Sequence, residues 1–88
     1  MSGQPCPVPD CAVEYVPHGR LMCAEHWRGL EPALRSEVHR AYQARLQAQL
    51  RLRAGRISAQ AFASAAERHR EACRRAVAAA AAAPRRKP

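Results

Sequence analysis

Three cysteines and one histidine near the N-terminus fall into two closely spaced pairs. Four residues separate Cys6 from Cys11, two separate Cys23 from His26, and eleven lie between the pairs. Two such pairs of thiolate and imidazole donors are typical of a closed, tetrahedral structural zinc site. We therefore predict one structural zinc ion bound by Cys6, Cys11, Cys23 and His26. His18 is the alternative to His26 as the fourth ligand.

The rest of the sequence favours metal-bound thiols over disulfides. The first five residues lack the charged and apolar regions of a secretory signal, and the longest bland stretch, the six alanines at 78–83, is too short to span a bilayer. We therefore expect a cytoplasmic location and no membrane partner. Disulfides are rare in that compartment, whereas closely spaced cysteines there more often hold metal.

The residues around the ligands predict a small treble-clef-like module over residues 1–30. The first pair lies in a proline-rich turn, and Cys23 with His26 falls on the first turn of a helix, where free N–H groups favour thiolates. Residues 15–21 predict a short β-hairpin with its turn at His18 and Gly19. We expect Trp27, next to the last ligand, to pack this module onto a following long helix.

The remainder of the chain is strongly basic, and its sequence pattern, described in the next paragraph, predicts a helical hairpin. Of the 88 residues, 15 are Lys or Arg and 7 are Asp or Glu, which gives a net charge of +8. Residues 1–30 carry two arginines against three acids (−1), and residues 31–88 carry 13 bases against four acids (+9). Few aromatic and β-branched residues disfavour a β fold and the dry pocket of an enzyme.

Two long helices, about 32–54 and 59–83, are predicted within residues 31–83. Pro32 is suited to a first helical turn, Gly55 to the position after a helix, and Ser58 to an N-cap. The short connection at 55–57 makes the helices antiparallel. We expect a disordered basic tail at 84–88 and one compact, mainly α domain overall. The second helix carries a seam at spacings of four and three: Phe62, Ala66, His69, Cys73, Ala76 and Ala80.

His69 and Cys73 are also a second Cys–His pair, four residues apart on one helix face. They are the right residue types for half of another metal site. A cysteine in a helix seam more often behaves as a small apolar side chain. We therefore favour a packing role for Cys73, with His69 at the edge of the seam.

Two segments carry a resemblance to a known group of proteins: GRLMCAEHW at 19–27 and LEPALRSEVHRAY at 30–42. With the C-x4-C pair before them, they resemble small treble-clef-like zinc-finger proteins of actinobacteria and their phages. The resemblance covers residues 6–42 and leaves out the C-terminal helix. It implies ligand roles for Cys6, Cys11, Cys23 and His26 and a phage or prophage setting. Because such proteins are mostly uncharacterised, it implies little about activity.

The arginine-rich hairpin predicts contacts with nucleic-acid phosphates. We expect a non-catalytic accessory or regulatory protein without a small-molecule substrate. The treble-clef scaffold also occurs in HNH nucleases, but this chain has no asparagine and no paired catalytic histidines. The alternative is a protein-interaction module, a homodimer or a partner complex, which uses the broad apolar face of the first long helix. The predicted nucleic-acid contacts are Arg40, Arg51, Arg68, Arg75, Arg85, Arg86 and Lys87.

Overall fold

The computed structural model describes residues 3–17 and 19–82. It is mainly helical, with a two-stranded antiparallel element at the N-terminus followed by two long helices that pack against each other. The predicted fold class is therefore confirmed. No helix among the described residues is long and apolar enough to cross a membrane. The elements are β1 (Gly3–Gln4), β2 (Val16–Pro17), α1 (Ala24–Gly29), α2 (Pro32–Arg53) and α3 (Ala59–Ala82).

The end of α2 is a Schellman motif. Gly55 adopts φ +73°, a conformation that glycine reaches without steric cost. Its N–H donates to the carbonyl of Leu52 at 3.0 Å, and the N–H of Arg56 donates to the carbonyl of Arg51 at 2.8 Å. These two bonds satisfy carbonyls that the helix end would leave unpaired. The chain consequently reverses within a few residues.

The start of α3 is capped by Ser58, as the sequence predicts. The Ser58 hydroxyl oxygen accepts a hydrogen bond from the N–H of Ala61 at 3.1 Å. This is the N-cap bond to the third helical residue, and it satisfies one of the free donors of the first turn. Together with the reversal after α2, it makes α2 and α3 an antiparallel hairpin.

The prediction for the strands was wrong in its pairing. The described residues 19–21 form no strand, and β2 pairs instead with β1, with Gly3 opposite Pro17 and Gln4 opposite Val16. Glycine at position 3 allows this pairing, because a side chain there would overlap the ring of Tyr15. The turn itself is present, because the Arg20 N–H donates to the Pro17 carbonyl at 3.1 Å and Gly19 has φ +93°.

One apolar core joins the N-terminal module to the hairpin. Val16 and Met22 are its largest fully buried side chains. The predicted seam of α3 faces this core and α2, with Ala66, Ala76 and Ala80 buried and the other three positions half-buried. The buried residues of the cluster are Cys6, Val8, Val16, Met22, Cys23, Leu30, Val38, Ala41, Ala72, Ala76 and Ala80.

Candidate metal centre

A loop closed by backbone hydrogen bonds presents the first two sulfur ligands. The Cys6 N–H donates to the Val13 carbonyl at 3.1 Å, and the Cys11 N–H donates to the Val8 carbonyl at 3.2 Å. Asp10, immediately before Cys11, has φ +66°, in the left-handed region that Asp tolerates better than most residues. The loop therefore folds back on itself and brings both thiols to one side.

The first turn of α1 presents the other two ligands. Cys23 is the residue at the N-cap, with extended backbone angles, and its carbonyl accepts the N–H of Trp27 at 3.0 Å. His26 lies three residues later on the same turn. Side chains three apart on a helix are neighbours on its surface, which explains the C-x2-H spacing.

The four donor atoms form a compact cluster, all within 4.8 Å of one another. The Cys11 and Cys23 sulfurs are 3.9 Å apart, and His26 Nδ1 is 3.7 Å from the Cys6 sulfur and 3.2 Å from the Cys23 sulfur. Tetrahedral zinc requires about 3.8 Å between two sulfurs and about 3.6 Å between sulfur and nitrogen. Two of the three separations lie close to these values, so the cluster could hold a metal ion, and none of the cysteines is in a disulfide.

The pKa values of Cys6 and Cys11 are shifted in opposite directions. Burial acts to raise the pKa of Cys6, but hydrogen bonds from the backbone at Cys23 and Val8, and from His26, outweigh it and lower the pKa to about 7. The Cys23 N–H contributes directly, 3.5 Å from the Cys6 sulfur. A backbone hydrogen bond at Val13 acts to lower the pKa of Cys11, yet burial and the neighbouring thiols raise it overall.

The structure describes His26 and Trp27 but not His18. His18, the alternative fourth ligand, lies outside the described residues, whereas His26 lies in the cluster. Trp27 is half-buried and packs against the shared core, as expected of a side chain that connects the module to the hairpin.

His69 and Cys73 lie close together, with His69 Nε2 3.5 Å from the Cys73 sulfur. Among the described residues no third donor joins them. The Tyr42 ring is 5.5 Å from the His69 ring, centroid to centroid. Burial raises the pKa of Cys73, and burial together with Arg45 and Arg70 lowers that of His69. The pair thus lies beside an aromatic side chain at the edge of the helix interface.

The arginines proposed to contact nucleic acid are dispersed. Arg75 forms an ion pair with Glu37 that links α3 to α2, at 2.5 Å. Arg40 and Arg68 are exposed and line a shallow charged groove between the two helices. Arg51 is exposed in the last turn of α2. The remaining three, Arg85, Arg86 and Lys87, lie outside the described residues, as does the tail predicted at 84–88.

Two arginines at the hairpin end did not enter the predicted set. Arg53 and Arg56 are exposed on either side of Gly55, close in sequence to Arg51. The indication was present in the sequence, because a glycine that ends a helix also gathers its flanking residues at one tip.

Comparisons with known proteins identify no relative of this chain. No protein-family model matches the chain, and neither a curated protein nor a solved structure matches it. The resemblance to actinobacterial and phage zinc-finger proteins stays a prediction.

Proposed function

We propose that this chain is a non-catalytic structural-zinc protein that binds nucleic acid through arginines of its helical hairpin. Three thiolates and one imidazole are donors that zinc accepts, and four protein ligands leave no open position for substrate. A metal at this site therefore acts by holding the loop at Cys6 and Cys11 against the start of α1. The resemblance described above supports an accessory or regulatory role in a phage or prophage setting.

The observation that carries nucleic-acid binding is the distribution of unpaired arginines. Twelve of the 14 arginines lie in the described part of the chain, and three of these (Arg70, Arg74 and Arg75) form ion pairs there. The other nine have no acidic partner among the described residues. An exposed cation without a local counter-charge is available to a phosphate and releases counterions when it binds.

The hairpin tip is the densest part of this surface. Arg51, Arg53 and Arg56 are all exposed, and no acidic residue occurs between Val38 and Ala66. By contrast, Glu67 and Glu71 neutralise arginines on α3. The tip lies one length of α2 from the metal module, about 30 Å for a helix of 22 residues. We assign the main phosphate contacts to this tip.

Fluorescence anisotropy with a labelled 20-base-pair duplex tests the proposal on the full zinc-loaded chain. If about four phosphates are neutralised, affinity should fall roughly 150-fold between 50 and 200 mM salt. The double variant Arg51→Gln/Arg53→Gln should lower the slope of log affinity against log salt by about two. The control Arg28→Gln/Arg35→Gln removes the same charge from α1 and the start of α2. Equal losses in both variants, or no binding at 50 mM salt, contradict the assignment.

A second candidate function is association with protein through α2. Tyr42, Leu46 and Leu50 follow one another at helical spacing and are 42%, 36% and 64% exposed. Apolar side chains left in a row on a helix surface are typical of a helix-packing interface. Sedimentation of the zinc-loaded chain at increasing concentration tests this: a dimer that Leu46→Gln/Leu50→Gln converts to monomer supports it, and a monomer throughout contradicts self-association.

A further inference from the structure

A groove of about 680 Å³ lies where the metal module meets the helical hairpin. Its walls are largely apolar, formed by Met22 and Trp27 from the module and by Val38 and Tyr42 from α2. The volume is within the range of sites that hold small ligands or a few side chains. Trp27 is half-buried and Tyr42 is largely exposed, so both rings present surface to an occupant.

Most of the ionisable side chains of this groove are basic. Arg20, His39, Arg45 and His69 line it together with the thiol of Cys73, and none of the described residues that line it is a carboxylate. The acidic residues of the hairpin border a separate groove, where Glu37, Glu67 and Glu71 pair with arginines. The apolar groove is therefore complementary to a negatively charged group.

Arg45 is the least satisfied of these side chains. It is half-buried, its Nε is fully buried, and that N–H has no hydrogen-bond acceptor among the described residues. Arg45 also forms no ion pair there. A buried donor without an acceptor costs free energy, and a guanidinium out of water costs more unless a counter-charge approaches. An incoming carboxylate would provide the counter-charge that the Arg45 guanidinium lacks among the described residues.

We propose that this groove binds an acidic segment of a partner protein. A carboxylate of the segment pairs with Arg45, and an adjacent large apolar side chain packs against Trp27 and Tyr42. Arginine and aromatic residues grouped in a pocket are typical anchors of protein recognition. The apolar walls favour a peptide over a nucleic-acid backbone, which would need a row of exposed cations such as the hairpin tip provides.

The site is independent of the proposed nucleic-acid surface. Arg45 lies in the middle of α2, whereas the tip arginines begin at Arg51. Loss of peptide binding with duplex binding intact would therefore separate the two proposals, and so would the reverse.

Selection from a library of random 12-residue peptides displayed on a carrier, against the immobilised zinc-loaded chain, tests the inference. We expect enrichment of Asp or Glu next to Leu, Phe or Trp. The enriched peptides are then synthesised, and their affinities are measured by calorimetry beside versions with Gln or Asn in place of the acid. We expect at least a tenfold loss on that replacement. A library that yields no binder, or binders without acidic residues, overturns the proposal.

Variants of the protein locate the contact. Arg45→Gln should weaken the selected peptide at least tenfold, and Arg45→Lys, which keeps the charge but not the forked geometry, should fall between it and the original. Arg28→Gln removes an exposed charge from α1 outside the groove and should change affinity less than twofold. Metal content and the amide NMR spectrum establish that each variant is folded. In the same spectra the Trp27 indole and Gly19 signals should shift on titration with peptide.

Two results would overturn the assignment of Arg45. One is unchanged peptide affinity in folded Arg45→Gln. The other is displacement of the peptide by the 20-base-pair duplex together with loss of duplex binding in Arg45→Gln, because the groove would then belong to the nucleic-acid surface.

Discussion

Replacing Cys23 by serine removes a predicted zinc ligand that also lies at the N-cap position of α1. The Cys23 sulfur lies 3.9 Å from the Cys11 sulfur and 3.2 Å from His26 Nδ1, so its replacement removes two of the close contacts between donor atoms. Its backbone N–H still donates to Cys6, but a serine hydroxyl is a poor zinc ligand at neutral pH. We expect Cys23→Ser to bind less than a tenth of the zinc that the original chain retains after buffer exchange.

The size of the structural effect follows from what else holds the module together. Among the described residues up to Leu30, the buried side chains other than cysteine are Val8, Val16, Met22 and Leu30. Structural zinc contributes about 10–16 kcal/mol in small zinc-binding peptides, which is as large as the whole stability of a typical domain, about 5–15 kcal/mol. Four buried apolar side chains contribute about 6–12 kcal/mol in total, which is less than the conformational entropy that ordering more than twenty residues costs. Residues 3–30 should therefore unfold without the metal.

The shared core extends this loss into the hairpin. Ala72, Ala76 and Ala80 of α3 pack in the same cluster as Val16 and Met22. Their amides should lose protection from hydrogen exchange when the metal is lost. The amides around Ala66 and Ala48, which are buried between the helices nearer the tip, should be affected less.

Native mass spectrometry gives the metal content, and hydrogen exchange gives the regional stability. Cys73→Ser is the matched control, since it makes the same substitution at a cysteine outside the cluster and should retain one zinc per chain. The reasoning is refuted if Cys23→Ser keeps full zinc stoichiometry, or if the metal-free original chain protects residues 3–30 as well as the zinc-loaded one.

Three further outcomes are expected. His26→Ala should lose zinc in native mass spectra while His18→Ala retains it; the opposite result would make His18 the fourth ligand. Zinc binding should release more protons as the pH falls from 8 to 6, because Cys6, with a pKa of about 7, becomes protonated over that range. Calorimetry in buffers of different ionisation enthalpy measures the number of protons released, and a number that does not change with pH would contradict this prediction. Ser58→Ala should cost about 1 kcal/mol and lower the melting temperature of the zinc-loaded chain by roughly 4–8 °C, and an unchanged value would mean that the cap bond contributes nothing.

The clustering of Cys6, Cys11, Cys23 and His26 could be predicted because the proximity of closely spaced donors is a local property of residue type and spacing. The two pairs place donors on a tight loop and on one helical turn, and each of these geometries is set by a few residues. The helix boundaries could also be predicted from local signals. Each of the residues that set them, Pro32, Gly55 and Ser58, affects the backbone only within about one helical turn.

The strand pairing could not be predicted because it depends on contacts distant in sequence. Local turn chemistry favoured a hairpin around Gly19, and the turn is there. The partner of Val16–Pro17 was decided instead by the loop between Cys6 and Cys11, which returns the N-terminus alongside β2, and by Gly3, which leaves room for the ring of Tyr15. The β-propensity of residues 20–22 does not indicate whether β2 pairs with them or with β1.

The groove beside Arg45 could not be predicted either, because three separate elements build it. Its residues come from the module, α2 and α3, and a sequence pattern assigns each of them only to its own element. α3 contributes His69 and Cys73 to this groove, and the rings of Trp27 and Tyr42 also line it, while Trp27 packs against the core as well. Trp27 thus belongs both to the packing that joins the metal module to the hairpin and to the groove in which we propose that a partner binds.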